Sequence, residues 1–391
     1  MSGDAISEEE LGEARSLLAD LISIYSPSGG EGPVIDHLEA WARERGFTCR
    51  RVPAENGSES LVLGACPDPV LAIVAHVDTI TPTWPGATDP RCEGNVVHGL
   101  GAVDDKGGVV ACMMAAVAFE EAGGDLDGSS VVFAFAVDEE TGGSGSRSLA
   151  IDLTPRFAIA LEGSELRPGI AECGDLECLV HVGGVSAHGS LAELGDNAVH
   201  SAAELIAGLP SLKLAKHRHP LLGESQVNVN EINTGEGMNV VPDRCTLRMQ
   251  VKLVPGQDLH ETRRLVSDYC AGHGGAVQMI EGTVPFELPA ESPLLAVVNE
   301  ATAAVTGEVP EAIGVPAWTD AHNFVDFGGS EAMVFGPGSI ETAHTPREHI
   351  DVTQVAACAR IFVKLLEPEN VAAMSAAPAR RTHPRYRKPI S

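Results

Sequence analysis

Short runs along this 391-residue chain set acids and imidazoles where metal and proton chemistry is possible. Ala75-His76-Val77-Asp78-Thr79 closes an apolar stretch, and Gly101-Ala102-Val103-Asp104-Asp105-Lys106-Gly107-Gly108 wedges two carboxylates among glycines. Asp138-Glu139-Glu140 follows a second apolar stretch and precedes Gly142-Gly143. Glu162 stands after the apolar residues Phe157 to Leu161, and His344 ends the loop Gly336-Pro337-Gly338-Ser339-Ile340-Glu341-Thr342-Ala343-His344. Taken singly, each has an ordinary explanation: a satisfied loop histidine, acids complementing a helix dipole, a solvated acidic turn. Taken together, His76, Asp104, Glu140, Glu162 and His344 form a mixed nitrogen and oxygen set suited to zinc or a similar borderline metal. Consecutive acids at a strand end repel one another and raise each other's pKa unless a cation neutralises them. At a turn, Glu139 and Glu140 can address one site, one as ligand and one as base.

Such a set needs elements that bring it together. Val70 to Val77 and Ser130 to Val137 are continuous apolar runs of strand length, the kind buried on both faces of a mainly parallel sheet. Open α/β sheets place ligand sites at the carboxyl ends of their strands. Glu8 to Tyr25 and Val34 to Arg45 carry apolar residues at helical spacing, and Gly107 to Ala122 reads as a further helix. From about Leu176 to Val284 the pattern changes to alternating strands near Leu179 to Val182, Gln226 to Ile232 and Cys245 to Leu253, with a helix over Asn197 to Leu209. This reads as an inserted α+β domain. Leu294 to Thr306, Ala332 to Phe335 and Val352 to Glu367 then supply a helix, a strand and a closing helix. The expected architecture is α/β: a catalytic domain over 1–175 and 285–370, an insertion over 176–284 and a disordered basic tail over 371–391. Arg380, Arg381, Arg385, Arg387 and Lys388 make that tail basic, with a docking arm as the other reading.

From about Leu11 to Leu366, with these motifs in order, the chain resembles the co-catalytic dizinc amidohydrolases that include acetylornithine deacetylase, succinyl-diaminopimelate desuccinylase, carboxypeptidase G and aminoacylase. The resemblance implies two divalent ions, zinc or alternatively cobalt. His76, Asp104 and Glu162 would hold one, and Asp104, Glu140 and His344 the other, with Asp104 bridging. It implies that Glu139 is the base that takes a proton from a metal-bridged water and passes it to the leaving nitrogen. Asp78 matches the carboxylate that orients His76 through its other ring nitrogen. The insertion is similar to the family's lid and dimerisation domain. There His188, in Gly183-Gly184-Val185-Ser186-Ala187-His188-Gly189, matches a histidine that reaches the partner subunit's site to stabilise an oxyanion. Asn239, in Gly237-Met238-Asn239-Val240-Val241-Pro242, matches a substrate-holding asparagine.

The implied reaction is amide hydrolysis of an N-acyl amino acid, acetylornithine-deacetylase-like, by a homodimer. The alternative is a metallo-carboxypeptidase or dipeptidase acting on small peptides. A metal-binding scaffold without turnover would have little reason to keep Glu139 beside five ligands. Three positions depart from the family's pattern. Gln250-Val251-Lys252 stands where Asp-x-Arg is common, Leu100 where arginine is usual, and Gly163 where proline is frequent. None removes a metal ligand. Lys252 is left to read a substrate carboxylate as a point charge, without arginine's two-pronged grip, and Arg248 shares its strand face.

Composition narrows the partners. A formal net charge of −29 repels nucleic-acid phosphates and anionic membrane surfaces. The nine cysteines form no Cys-x-x-Cys pair and are odd in number, which predicts free thiols in a reducing compartment. The acidic N-terminus has no apolar core of a signal peptide, and no membrane-length apolar run occurs. The expected location is the cytoplasm.

Overall fold

The computed structural model describes residues 5–212, 214, 218–235 and 237–376. Two compact units divide the chain: one comprises Met1–Ile170, Leu288–Ile313 and Thr319–Ser391, the other Ala171–Glu287 with Gly314–Trp318.

In the first unit, strands Val131–Ala136, Leu71–His76, Phe157–Ala160 and Glu331–Val334 lie side by side in that order, all parallel. Glu59–Leu63 and Cys49–Pro53 extend the sheet antiparallel beyond Val131–Ala136. Every residue of Leu71–His76 and Val131–Ala136 is buried, as their unbroken apolar sequences require of strands covered on both faces. Helices Lys106–Glu121 and Val352–Leu366 pack on each other, and Glu8–Ser23 packs on both. Glu8–Ser23 begins with a capping box in which Ser7 and Glu10 satisfy each other's free backbone N–H groups. A small antiparallel sheet of Arg91–Glu93, Val96–His98 and His349–Asp351 braces the approach to Asp104.

The second unit is an antiparallel sheet in the order Gln226–Asn233, Arg244–Leu253, Gly174–Gly183, Gly275–Gly282. Its strands alternate as a half-covered sheet should. Leu176, Cys178, Val180 and Val182, with Cys245, Leu247, Met249 and Val251, are buried in a core shared with helices Ala198–Gly208 and Leu259–Gly272. Most of the intervening residues, among them Asp175, Glu177, His181, Thr246, Arg248, Gln250 and Lys252, are polar and less buried.

One terminal expectation is corrected. A helix over Pro368–Ala376 occupies the start of the stretch read as disordered from residue 371. Val371 and Met374, three residues apart, sit on one helix face and pack into the main core, a two-residue period too short to register in the sequence. The basic residues Arg380 to Lys388 lie outside the described residues. Among the described residues, no helix is long and apolar enough to cross a membrane.

Candidate metal centre

Because the four central strands are parallel, their carboxyl ends share one edge, and the chain delivers its chemistry there. His76 is the last residue of Leu71–His76, in register with Ala136. Three residues beyond Ala136 stands Glu139, followed by Glu140, and Glu162 follows the end of Phe157–Ala160. His344 arrives on the loop after Glu331–Val334, itself in a left-handed conformation with φ 59°. Asp104 comes from the turn before Lys106–Glu121, where Gly107 and Gly108 are packed too closely to carry side chains: a Cβ at Gly107 would meet the Ala102 carbonyl at 2.7 Å.

The structure brings all six residues together. Asp104 Oδ1 lies 2.9 Å from His76 Nε2, and Asp104 Oδ2 lies 3.0 Å from His344 Nε2. The same His344 nitrogen is 3.0 Å from Glu140 Oε1. Donor atoms of Asp104, Glu140 and His344 fall within 4.8 Å of one another, as do those of His76, Glu139 and Glu162. Glu139, expected as the base, thus stands within ligand distance of His76 and Glu162.

Electrostatics show how crowded this set is. Burial, reinforced by Asp320, Asp104 and Glu140, holds the Glu139 carboxyl well above the ordinary range despite the nearby His76. Burial and the carboxylates of Asp104 and Glu139 do the same to Glu162. Asp104 goes the other way: against burial, hydrogen bonds from His344 and His76 hold it below the usual carboxylate range. The Asp104 and Glu140 carboxylates push His344 up to about 10. Each imidazole Nε2 faces a carboxylate oxygen at hydrogen-bond distance, and a divalent cation between them would take the place of a shared proton.

Asp78 is buried behind this front. His76 Nδ1 meets the Asp78 backbone carbonyl at 3.1 Å and its Oδ1 at 3.5 Å. The carboxylate has three closer donors: Ser28 Oγ at 2.8 Å and the backbone N–H groups of Glu139 and Glu140, both at 3.1 Å. It consequently steadies the backbone of the acidic turn as well as the imidazole.

Several residues here had no signal in the sequence. Glu31, buried, accepts from the N–H of Asp138 at 3.2 Å and of Gly29 at 2.8 Å and from Ser58 Oγ at 2.8 Å. Glu348 accepts from the Val103 N–H at 3.2 Å, and burial pushes its carboxyl up to about 7. Asn323 and Asp320 belong to the stretch Thr319-Asp320-Ala321-His322-Asn323, whose run of buried polar side chains before a core strand was the one available hint. Beside the His344 loop is a cavity of about 330 Å³, with Trp84, Arg91, His98, Leu100 and Pro346 in its walls.

The remaining candidates lie in the second unit. The His188 and Asn239 loops pair with each other: Gly189 N–H donates to the Asn239 carbonyl at 2.7 Å and Val241 N–H to the Ala187 carbonyl at 2.8 Å. His188 is exposed, and its Nδ1 accepts from the Ser190 N–H at 3.2 Å, so the neutral ring carries its proton on Nε2. Lys252, expected to read a substrate carboxylate, lies on the strand Arg244–Leu253. Its ammonium is held by Asp175 Oδ2 at 2.8 Å, directly across the strand pair, and Gln250 Nε2 donates to the same oxygen at 2.7 Å. Arg248 is likewise paired, with Glu177 Oε1 at 2.5 Å. Opposite charges facing each other on neighbouring strands neutralise in place.

Comparisons with known proteins identify the family. The chain is 29% identical over 363 residues to an acetylornithine deacetylase of Proteus mirabilis, covering 85% of this chain and 89% of the relative. It is 28% identical over 381 residues to a putative LysW-lysine/LysW-ornithine hydrolase of Aeropyrum pernix, covering 94% and 98%. A metallo-carboxypeptidase from Sulfolobus solfataricus shares the fold with a TM-score of 0.75 at 19% identity, covering 93% of this chain and all of that one. The family description "Peptidase family M20/M25/M40" matches residues 72–368, and the chain belongs to that family.

Proposed function

We propose that this chain is a two-metal amidohydrolase that cleaves N-acyl amino acids in the manner of acetylornithine deacetylase. The observation that carries the reading is Asp104, which offers one oxygen to His76 and the other to His344 while Glu139, Glu140 and Glu162 close around them. In this reading His76, Asp104 and Glu162 would hold one ion, and Asp104, Glu140 and His344 the other. The donor set of imidazoles and carboxylates fits zinc, with cobalt as a substitute. Divalent ions bound there supply Lewis acidity, which acidifies water and polarises the scissile carbonyl.

The chain's own groups do the rest. Glu139, with its proton affinity raised by burial and neighbouring carboxylates, accepts a proton and returns it to the leaving nitrogen. Asp78 keeps Glu139 and Glu140 in place through their backbone N–H groups. The Nε2–H of His188 is the donor for the developing oxyanion, in a homodimer where it serves the partner's site, and Asn239 helps to hold substrate. Lys252 is left out of the substrate site because Asp175 already neutralises it. A cavity of about 330 Å³ is at the small end for ligand sites and suits an amino-acid-sized group. Free thiols at all nine cysteines support a cytoplasmic location.

Cleavage of small peptides is the second reading, and the fold shared with a metallo-carboxypeptidase supports it. The test is a panel of N-acyl amino acids, their carboxamides and dipeptides, offered to zinc- or cobalt-loaded protein before and after chelation. Acyl amino acids should turn over fastest, and chelation should abolish the activity. Faster turnover of dipeptides would establish the second reading, and two bound ions with no turnover at all would sink both.

A further inference from the structure

The turn between Val131–Ala136 and the helix Ser144–Leu153 carries both Glu139 and Glu140, so its shape sets where those carboxylates point. The turn closes on Asp138, whose carbonyl accepts from the N–H of Gly142 at 3.0 Å and of Gly143 at 2.5 Å. Gly143, at φ 61°, is where the turn passes into the helix. Its own carbonyl accepts from Asn323 Nδ2 at 2.7 Å, and that amide donates again to Ser146 Oγ at 2.7 Å. Asn323 is only 4% exposed and uses both hydrogens of its amide on the far side of the acidic turn. It sits three residues after Asp320, a carboxylate that acts on Glu139.

We propose that Asn323 is a positioning residue for Glu139: it fixes the Gly143 peptide, and through that peptide the turn that aims the base. The proposal rests on Glu139 being the base. It also has a chemical signature that simple space-filling lacks. Aspartate has nearly the shape of asparagine but, when ionised, only accepts hydrogen bonds, so it would set an anionic oxygen against the Gly143 carbonyl. Alanine deletes the donors without adding repulsion. A positioning role therefore makes Asn323→Asp worse than Asn323→Ala, and a packing role reverses that order.

The experiment measures kcat, KM and bound metal for both variants in the metal-loaded enzyme, with Glu139→Gln and Glu139→Gln/Asn323→Asp alongside. Loss of a supporting hydrogen bond of this kind is worth roughly 10- to 100-fold in activity, so kcat should fall by about 10-fold in Asn323→Ala and further in Asn323→Asp. KM and metal content should stay near those of the parent. On the Glu139→Gln background, Asn323→Asp should cost nothing more, because the group it positions is gone. Equal or milder loss in Asn323→Asp, or a loss that tracks missing metal, would overturn the proposal. If the aspartate variant does not fold, the alanine variant decides: lower kcat with KM and metal intact supports the role, and unchanged kcat overturns it. An active Glu139→Gln would remove the base assignment and this proposal together. An inactive Glu139→Gln with fully active Asn323 variants would remove this proposal alone.

Discussion

Asp104 and Glu139 occupy the same crowded edge, yet their removal should leave opposite signatures. Asp104 presents separate oxygens to His76 and His344, so no single neighbour can replace both contacts. In the proposed reaction Glu139 carries a proton, and its amide analogue keeps its shape. Glu139→Gln should therefore retain two ions per chain while kcat drops by about 10²-fold or more, and Asp104→Ala should lose both ions along with activity. Elemental analysis beside steady-state kinetics reads both. An Asp104→Ala protein that still carries two ions would mean another side chain bridges. The acids and imidazoles of this centre were legible because each ends an apolar run or sits among glycines. Ser28, Glu31 and Asn323 were not, because their partners, the Asp78 carboxylate, the Asp138 N–H and the Gly143 carbonyl, are brought to them only by the fold.

At the scale of elements, unbroken apolar runs identified the central strands, since only strands covered on both faces carry such sequences. Alternation identified strands of the second unit, but it gave no register, and register is what sets Asp175 opposite Lys252. A cation read in sequence as free for substrate is thus neutralised by its neighbour. The His188 and Asn239 loops illustrate the converse: two motifs some fifty residues apart in sequence are joined by backbone hydrogen bonds into one exposed feature. The proposal that His188 serves a partner subunit's site has a direct test. Glu139→Gln chains mixed with His188→Ala chains, each inactive alone, should regain activity if His188 serves the partner's site. One site of each hybrid then has an intact Glu139 and an intact histidine from across the interface. Proven subunit exchange without recovery would confine His188 to its own chain's site or remove it from catalysis.

Across the whole molecule, the opening and closing helices of the first unit are tied by Arg360 and Glu10, 350 residues apart in sequence, a contact no local pattern foretells. Arg360 Nε and Nη2 each donate to a Glu10 carboxylate oxygen at 2.8 Å, while Glu10 also accepts from the Ser7 N–H at 2.7 Å. The Arg360 hydrogen bond, helped by Ser7 and opposed by burial, lowers the Glu10 carboxyl from 4.5 to about 2. The sign follows from linkage: a carboxyl depressed in the folded state adds stability that is complete above its unfolded pKa and fades as pH falls toward its folded pKa. For Glu10 that window runs from about 4.5 down to about 2. The pair is part-exposed, so solvent screening limits it to about 1 kcal/mol or less, a shift of roughly 1–3 °C in Tm for a domain of this size. Glu10→Gln should accordingly melt below the parent at neutral pH, and the gap should narrow steadily between pH 5 and pH 3. Every other acid on this highly charged chain titrates in both proteins, so the difference between the two melting curves isolates Glu10. A gap that stays constant over that interval would mean that the two helices are held by their apolar contacts alone.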